Sequence, residues 1–164
     1  MRRWCLFSWV LCGLTVLPGQ TPSLTRQFQQ VRDAVVTVWS DFGSGSGFIV
    51  DARGLIVTND HVVAGARWVA VQFDPSHKVR ALVLSEDAVR DVAVLRADLA
   101  AFPGAHAVEL APAAEVAGVQ PGAPVFTVGS PLHQRQVLTA GIVSGIEPRA
   151  FLSDLDLNHG NSGG

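Results

Sequence analysis

The chain has 164 residues, of which 48% are apolar, and a net charge of −2 from 12 Lys and Arg against 14 Asp and Glu. This composition excludes a mainly disordered chain, because the apolar content is high and the net charge is small. It also argues against nucleic-acid binding, which needs a basic surface that releases counterions from phosphates.

The first 19 residues are predicted to be an export signal. Arg2 and Arg3 begin the chain, and residues 4–17 form a 14-residue run without a charge. A membrane-spanning helix needs about 20 apolar residues, so this run favours a secretory signal cleaved near Gly19. An uncleaved membrane anchor and a buried core segment are the alternatives. Both cysteines lie in this segment, so the mature chain would contain no disulfide.

β-Strands are predicted to dominate after a short helical stretch at residues 27–33. Apolar runs, several of them alternating with polar residues, are separated by Gly and Pro. The expected strands of the first half are residues 35–40, 47–50, 55–59, 68–73, 79–84 and 92–96. Trp68 and Phe73 are assigned to the core. This pattern favours an antiparallel barrel or sandwich over residues 28–98.

The second half is predicted to be incomplete. Residues 99–121, rich in Ala, Pro and Gly, are interpreted as a connector. At most four strands follow, at residues 124–128, 136–139, 141–146 and 150–155. A small closed barrel needs about six to eight strands, so residues 122–164 are expected to form part of a second barrel. We therefore interpret the sequence as a fragment or as a truncated gene product.

Three short motifs supply a His, an Asp and a Ser. His61 follows an apolar strand, Asp91 directly precedes another, and Ser162 lies in a glycine-rich turn. Each has a structural explanation when taken singly, such as a turn carboxylate that caps local N–H groups. Together they meet the needs of acyl transfer by serine. A hydroxyl needs a base of pKa near 7, and an imidazole needs a carboxylate to orient it.

The glycines around Ser162 suit the same chemistry. A tetrahedral oxyanion must be met by backbone N–H groups that converge on one point. Gly160 lets the chain turn an N–H inward without a Cβ clash, and Gly163 and Gly164 keep the other flank open. The sequence therefore predicts a serine nucleophile with an oxyanion-binding turn.

Six segments share one wider pattern. They are GSGFIV at 45–50, GLIVTNDHVV at 54–63, DVAVL at 91–95, VGSP at 128–131, TAGIVS at 139–144 and NHGNSGG at 158–164. In this order they resemble the trypsin-fold serine proteases, and most closely their cysteine-free HtrA/Deg-type branch. The resemblance extends over about residues 30–164.

The resemblance implies an all-β fold of two packed antiparallel barrels with the site in the cleft between them. It implies His61 as general base, Asp91 as its orienting partner and Ser162 as nucleophile. Gly160, Asn161 and Ser162 would form the backbone of the oxyanion hole. The resemblance further implies cleavage of unfolded or exposed polypeptides without a metal or cofactor, and it is compatible with a homo-oligomer.

Several positions depart from the family pattern. Asp60 stands where a small or amide residue usually precedes the His, and His159 precedes the oxyanion glycine. Asp156 lies six residues before Ser162, where trypsins carry the carboxylate that selects Arg or Lys. A solvated or loop-pairing role is the alternative for Asp156, because the HtrA-type frame places its recurrent acidic residue at Asp154.

Two functions follow from the sequence. The first is an exported serine endopeptidase, periplasmic or extracellular, or membrane-anchored if the signal is not cleaved. The alternative is a non-catalytic trypsin-fold remnant with a binding or structural role. Residues 1–164 alone are expected to show little or no activity, because Ser162 lies at a terminus that frays. Other sites are less consistent with the sequence. Residues 43–47 lack the spacing of a dinucleotide-binding loop and are interpreted as a flexible turn, and the histidines lack metal-ligand spacing.

Overall fold

A computed structural model describes residues 23–129, 136–148, 150–156 and 160–164. The predicted signal at residues 1–19 lies outside this part of the chain. The helices are α1 (Leu24–Val31), α2 (Asp60–Val63) and α3 (Ala113–Ala117), with 3₁₀ turns at Arg32–Ala34 and Leu99–Ala101. The strands are β1 (Val35–Ser40), β2 (Gly43–Asp51), β3 (Leu55–Thr58), β4 (Val69–Gln72), β5 (Lys78–Asp87), β6 (Val92–Arg96), β7 (Pro124–Gly129), β8 (Val137–Glu147) and β9 (Ala150–Ser153). In the described ranges no helix is long and apolar enough to cross a membrane.

The first six strands close into a barrel in the order β1-β2-β3-β6-β5-β4, and each neighbouring pair is antiparallel. Successive side chains of a strand point to opposite faces, so the apolar residues of β3 and β6 alternate between the core and the outer surface. Val38, Ile49, Ile56 and Leu95 are each 0% exposed at the centre of this core. The predicted all-β class is confirmed.

The second half contributes a three-stranded antiparallel sheet, β7-β8-β9, in the described residues. The separate strands predicted at 136–139 and 141–146 are wrong, because β8 is continuous over 11 residues. Gly141 does not interrupt this strand. A Cβ at this position would collide with the Asp154 carboxylate, which lies against the strand. The glycine therefore reflects close packing and not a break in the strand.

Residues 43–47 belong to β2 and are not the flexible turn that their composition indicated. A Cβ on Gly45 would lie 2.7 Å from Val62 Cγ2, and one on Gly47 would lie 2.9 Å from Val38 Cγ2. These glycines are required because neighbouring side chains and backbone approach the strand closely, a relation that short-range composition does not reveal.

The two aromatic residues assigned to the core differ. Phe73 packs against the core and stacks on Phe102, with ring centroids 5.6 Å apart. Trp68 is 40% exposed, so its assignment to the core is wrong. It precedes the first residue of β4, and the Lys78 ammonium lies 5.8 Å from its ring centroid, which gives this large side chain a partner on the surface.

Candidate active site

His61 lies in α2, the single helical turn that follows β3. Its backbone N–H donates to Asp91 Oδ1 over 2.9 Å, and its imidazole Nδ1 lies 2.8 Å from Asp91 Oδ2. Both carboxylate oxygens are therefore engaged by the same residue. When Nδ1 carries the proton and donates it to the carboxylate, Nε2 is the acceptor nitrogen of the neutral ring.

Asp91 occupies an uncommon backbone conformation. Its φ is 53°, in the left-handed region that non-glycine residues rarely adopt. The Asn59 side-chain amide donates to the Asp91 carbonyl over 2.8 Å. This bond ties the turn before β6 to the residue that precedes α2, so Asn59 helps to hold the carboxylate opposite His61.

The hydrogen bonds at Asp91 also change its acidity. Burial acts to raise the pKa of Asp91, but hydrogen bonds from the His61 backbone and imidazole outweigh it and hold the pKa below its ordinary value. The carboxyl group is therefore ionised at neutral pH. It is suited to stabilise a positive charge on the His61 ring.

Ser162 lies in the glycine-rich turn and lines the same groove as His61. This groove has a volume of about 320 Å³ and is also lined by residues of β1 and β2 and by Gly160. Within the described part of the chain, no hydrogen bond joins the side chains of His61 and Ser162. The structure thus brings His61 and Ser162 to one groove and bonds His61 to Asp91, which is not among the residues that line the groove.

The turn that carries Ser162 is attached to β2 through Ser46. The Ser46 hydroxyl donates to the Gly160 carbonyl over 2.6 Å, and the Ser46 N–H donates to the Ser162 carbonyl over 2.7 Å. The Thr58 hydroxyl in turn donates to the Ser46 carbonyl over 2.6 Å. Sequence reasoning assigned no role to Ser46 or Asn59, although each lies inside a segment that carried the family resemblance.

The residues predicted to form the oxyanion hole adopt a tight turn. Gly160 has φ 98° and Gly163 has φ 87°, conformations that favour glycine. The Gly164 N–H donates to the Asn161 carbonyl over 2.9 Å, which closes the turn. Asn161 is 7% exposed, and its Nδ2 has no hydrogen-bond partner in the described residues. His159 lies outside them.

A larger cavity, of about 890 Å³, lies between the Ser162 turn and the second sheet. Ser153, the last residue of β9, and Leu155 line this cavity. Asp156, the next residue, is exposed and is not among the lining residues. The carboxylate of Asp154 accepts from the Ile142 N–H over 2.7 Å and joins β9 to β8. Selection of basic side chains by Asp156 stays a prediction.

The second carboxylate beside His61 is buried. Asp60 is 7% exposed, and its Oδ1 has no hydrogen-bond partner in the described residues. No group of three or more His, Cys, Asp or Glu side chains in that same part of the chain is placed to hold a metal ion.

Comparison with known proteins places this fold and groove in a family. Residues 45–164 match the trypsin-like peptidase domain, and the chain belongs to the trypsin-like peptidases. It is 35% identical to the mitochondrial serine protease HTRA2 of Bos taurus over 133 residues, covering 74% of this chain and 28% of that protein. It is 36% identical to the serine endoprotease DegS of Escherichia coli K12 over 129 residues, covering 73% of this chain and 35% of DegS.

Solved structures agree with this assignment. The HtrA-type protease AlgW with a tripeptide superposes with a TM-score of 0.74 at 27% identity, covering 87% of this chain and 49% of AlgW. Deg5 superposes with a TM-score of 0.71 at 29% identity, covering 85% of this chain and 76% of Deg5. The resemblance to the HtrA/Deg-type branch is thereby confirmed. The chain spans about a third of the length of the curated relatives it matches.

Proposed function

We propose that this chain is the peptidase part of a serine endopeptidase that cleaves peptide bonds through an acyl-enzyme intermediate. His61 acts as general base, Asp91 orients it, and Ser162 is the nucleophile. The observation that supports this most is the bond from the His61 ring to an ionised Asp91, made beside the groove that Ser162 also lines.

The proposed reaction follows from the proton positions. With Nδ1–H bonded to Asp91, Nε2 accepts the proton of the Ser162 hydroxyl as Oγ bonds to the substrate carbonyl carbon. The Gly160 and Ser162 N–H groups stabilise the oxyanion. The His61 imidazolium then gives its proton to the leaving amine, the peptide C–N bond breaks, and water hydrolyses the acyl ester by the same route.

The missing bond between His61 and Ser162 is compatible with this mechanism. Hydrogen bonds between a nucleophile and its base are often long in the free enzyme and shorten when substrate binds. We expect rotation of the Ser162 side chain, once a peptide lies in the groove, to bring Oγ within reach of Nε2.

A fluorophosphonate probe tests the proposal, because it reacts with an activated serine and needs no assumption about the substrate. We expect labelling of Ser162 in the full-length protein and none in its Ser162→Ala variant. Ser44 lines the same groove and offers a matched control, since Ser44→Ala should leave labelling intact. A folded full-length protein that stays unlabelled would instead support the non-catalytic, binding or structural alternative.

We further propose that the protein is exported and that its substrates are unfolded or exposed polypeptide segments. The charge-free run at residues 4–17 after Arg2 and Arg3 supports export. Cell fractionation with N-terminal sequencing tests it. A new N-terminus near residue 20 in the exported fraction is expected, and an unprocessed chain confined to the cytoplasm would contradict it.

A further inference from the structure

Ser46 joins two segments that are far apart in sequence. Its side chain is 0% exposed, and its hydroxyl bonds to the Gly160 carbonyl 114 positions away. We propose that Ser46 is a positioning residue that holds the turn of Ser162 in its reactive geometry through this hydroxyl. The proposal rests on the proposed function and assigns it one more residue.

The two bonds from Ser46 are placed where they control the nucleophile. They hold the carbonyls of Gly160 and Ser162, which lie on either side of the planar peptide that joins Asn161 to Ser162. The Ser162 N–H belongs to this peptide, and planarity means that it can reorient only by rotation at the flanking Cα atoms. Fixing both carbonyls restricts those rotations.

The turn needs such an anchor because its own residues offer little restraint. Gly160 and Gly163 have positive φ and no side chain, so the free chain has many conformations open to it at these positions. The Ser46 hydroxyl, on a fully buried side chain, supplies a donor for the Gly160 carbonyl. The space around the Ser46 hydroxyl is limited, since a Cβ on Gly129 would lie 3.0 Å from Ser46 Oγ.

The side chain can be tested apart from the backbone. Ser46→Ala removes the bond to Gly160 and keeps the N–H that bonds to Ser162. Thr37→Val is a matched control, because Thr37 faces Ser46 directly across β1 and β2 and is 2% exposed. In the described residues the Thr37 hydroxyl has no hydrogen-bond partner. Both variants lose one buried hydroxyl from the same position of the barrel.

Amide exchange followed by NMR on the 164-residue chain is the first measurement. We expect Ser46→Ala to accelerate exchange at residues 161–164 at least about 10-fold over Thr37→Val, and to leave the barrel amides unchanged. Equal exchange in the two variants at residues 161–164 would overturn the proposal. Acceleration throughout the barrel would also overturn it, because it would show a general structural role.

The second measurement is the rate of fluorophosphonate labelling at increasing probe concentration. A misplaced nucleophile should lower the maximal rate about 10- to 100-fold and leave the half-saturating concentration nearly unchanged. An unaltered maximal rate in Ser46→Ala would overturn the proposed positioning role. A full-length wild-type protein that is never labelled would contradict the proposed function instead, and the exchange data would still decide whether Ser46 anchors the turn.

Discussion

His61 and Asp91 are joined by two hydrogen bonds, one to each carboxylate oxygen, and Asn59 holds the Asp91 carbonyl from behind. This arrangement fixes the imidazole in one orientation and one tautomer. It also makes Asp91 more than a counter-charge, because the neutral amide of an Asn at this position would present different donors to the ring. We therefore expect the Asp91 carboxylate to affect both the reactivity of Ser162 and the pH dependence of stability.

Asp91→Asn should reduce the rate of fluorophosphonate labelling by about 10⁴-fold, because the wrong tautomer of His61 is favoured when the carboxylate is lost. Asp87→Asn provides the control, since Asp87 caps the same turn through the Val89 and Arg90 N–H groups and does not contact His61. The labelling kinetics of Asp91→Asn and Asp87→Asn test this expectation. Equal loss in the two would mean that the turn, and not the carboxylate, is what matters.

Stability should depend on pH through the same group. The pKa of Asp91 in the fold lies below its ordinary value, so the folded chain favours the carboxylate. The resulting stabilisation is present above about pH 4 and is lost as the pH falls through the folded-state pKa. Urea unfolding at several pH values checks this. The difference between wild type and Asp91→Asn should shrink on acidification, and a constant difference would contradict it.

At the scale of elements, β2 connects the barrel core to the Ser162 turn. Its glycines allow Val38, Val62 and the turn itself to approach the strand closely. β2 must therefore pair with β1 and β3 along its length, and it must also leave room at its start for the turn of Ser162. Glycine satisfies both at the cost of weak intrinsic strand preference.

Gly47→Ala should lower the free energy of unfolding by about 1–3 kcal/mol, because the added methyl overlaps Val38, Ile56 and the Val57 carbonyl. Gly118 follows α3, and a Cβ there makes only ordinary contacts of 3.4 Å or more. Gly118→Ala should therefore change stability by less than about 0.5 kcal/mol. Chemical denaturation measures both, and similar values for the two would show that the packing around β2 is looser than described.

The strands that sequence reasoning located best are those whose pattern is local. Residues 35–40 and 92–96 are strands with the predicted bounds, because each is a short run of mainly apolar, β-branched residues. The glycine-rich start of β2 and the continuous β8 were misread. In both, glycine is explained by contact with residues distant in sequence, which periodicity does not encode.

The residues of the candidate site could also be predicted from the sequence only in part. His61, Asp91 and Ser162 could be named because their chemistry shows in the residue types themselves and in their glycine surroundings. Ser46 could not, since nothing local distinguishes a serine that bonds 114 positions away from one that faces solvent. Its role depends on how β2 and the turn meet in three dimensions.

At the scale of the whole molecule, the two halves differ in how much they bury. In the described residues, the main core cluster lies between Val36 and Phe102, while the second sheet buries Val128 and Val143. Ile142, Ile146, Phe151 and Leu152 of β8 and β9 are each more than 40% exposed. Local stability follows buried apolar contacts, so the halves are expected to open separately.

Hydrogen exchange of the intact chain tests this expectation. Amides of β3 and β6, at the centre of the barrel, should exchange at least about 10-fold more slowly than those of β8, because opening the second sheet exposes less apolar surface. The comparison uses hydrogen-bonded strand amides in both halves, so differences in intrinsic exchange can be corrected residue by residue. Equal protection in β3 and β8 would show a single cooperative unit.

Two buried hydroxyls connect β3, which ends shortly before His61, to the turn of Ser162. The Thr58 hydroxyl donates to the Ser46 carbonyl, and the Ser46 hydroxyl donates to the Gly160 carbonyl. The first barrel therefore helps to set the spacing between the base and the nucleophile. The same turn also lies against the end of β7, where a Cβ on Gly129 would lie 2.7 Å from Asn161 Oδ1 and one on Gly164 would lie 2.7 Å from the Val128 carbonyl oxygen. Because β7 both supports the turn and lines the large cavity, a change in the packing of β7 on the barrel should alter the reactivity of Ser162 together with the shape of that cavity.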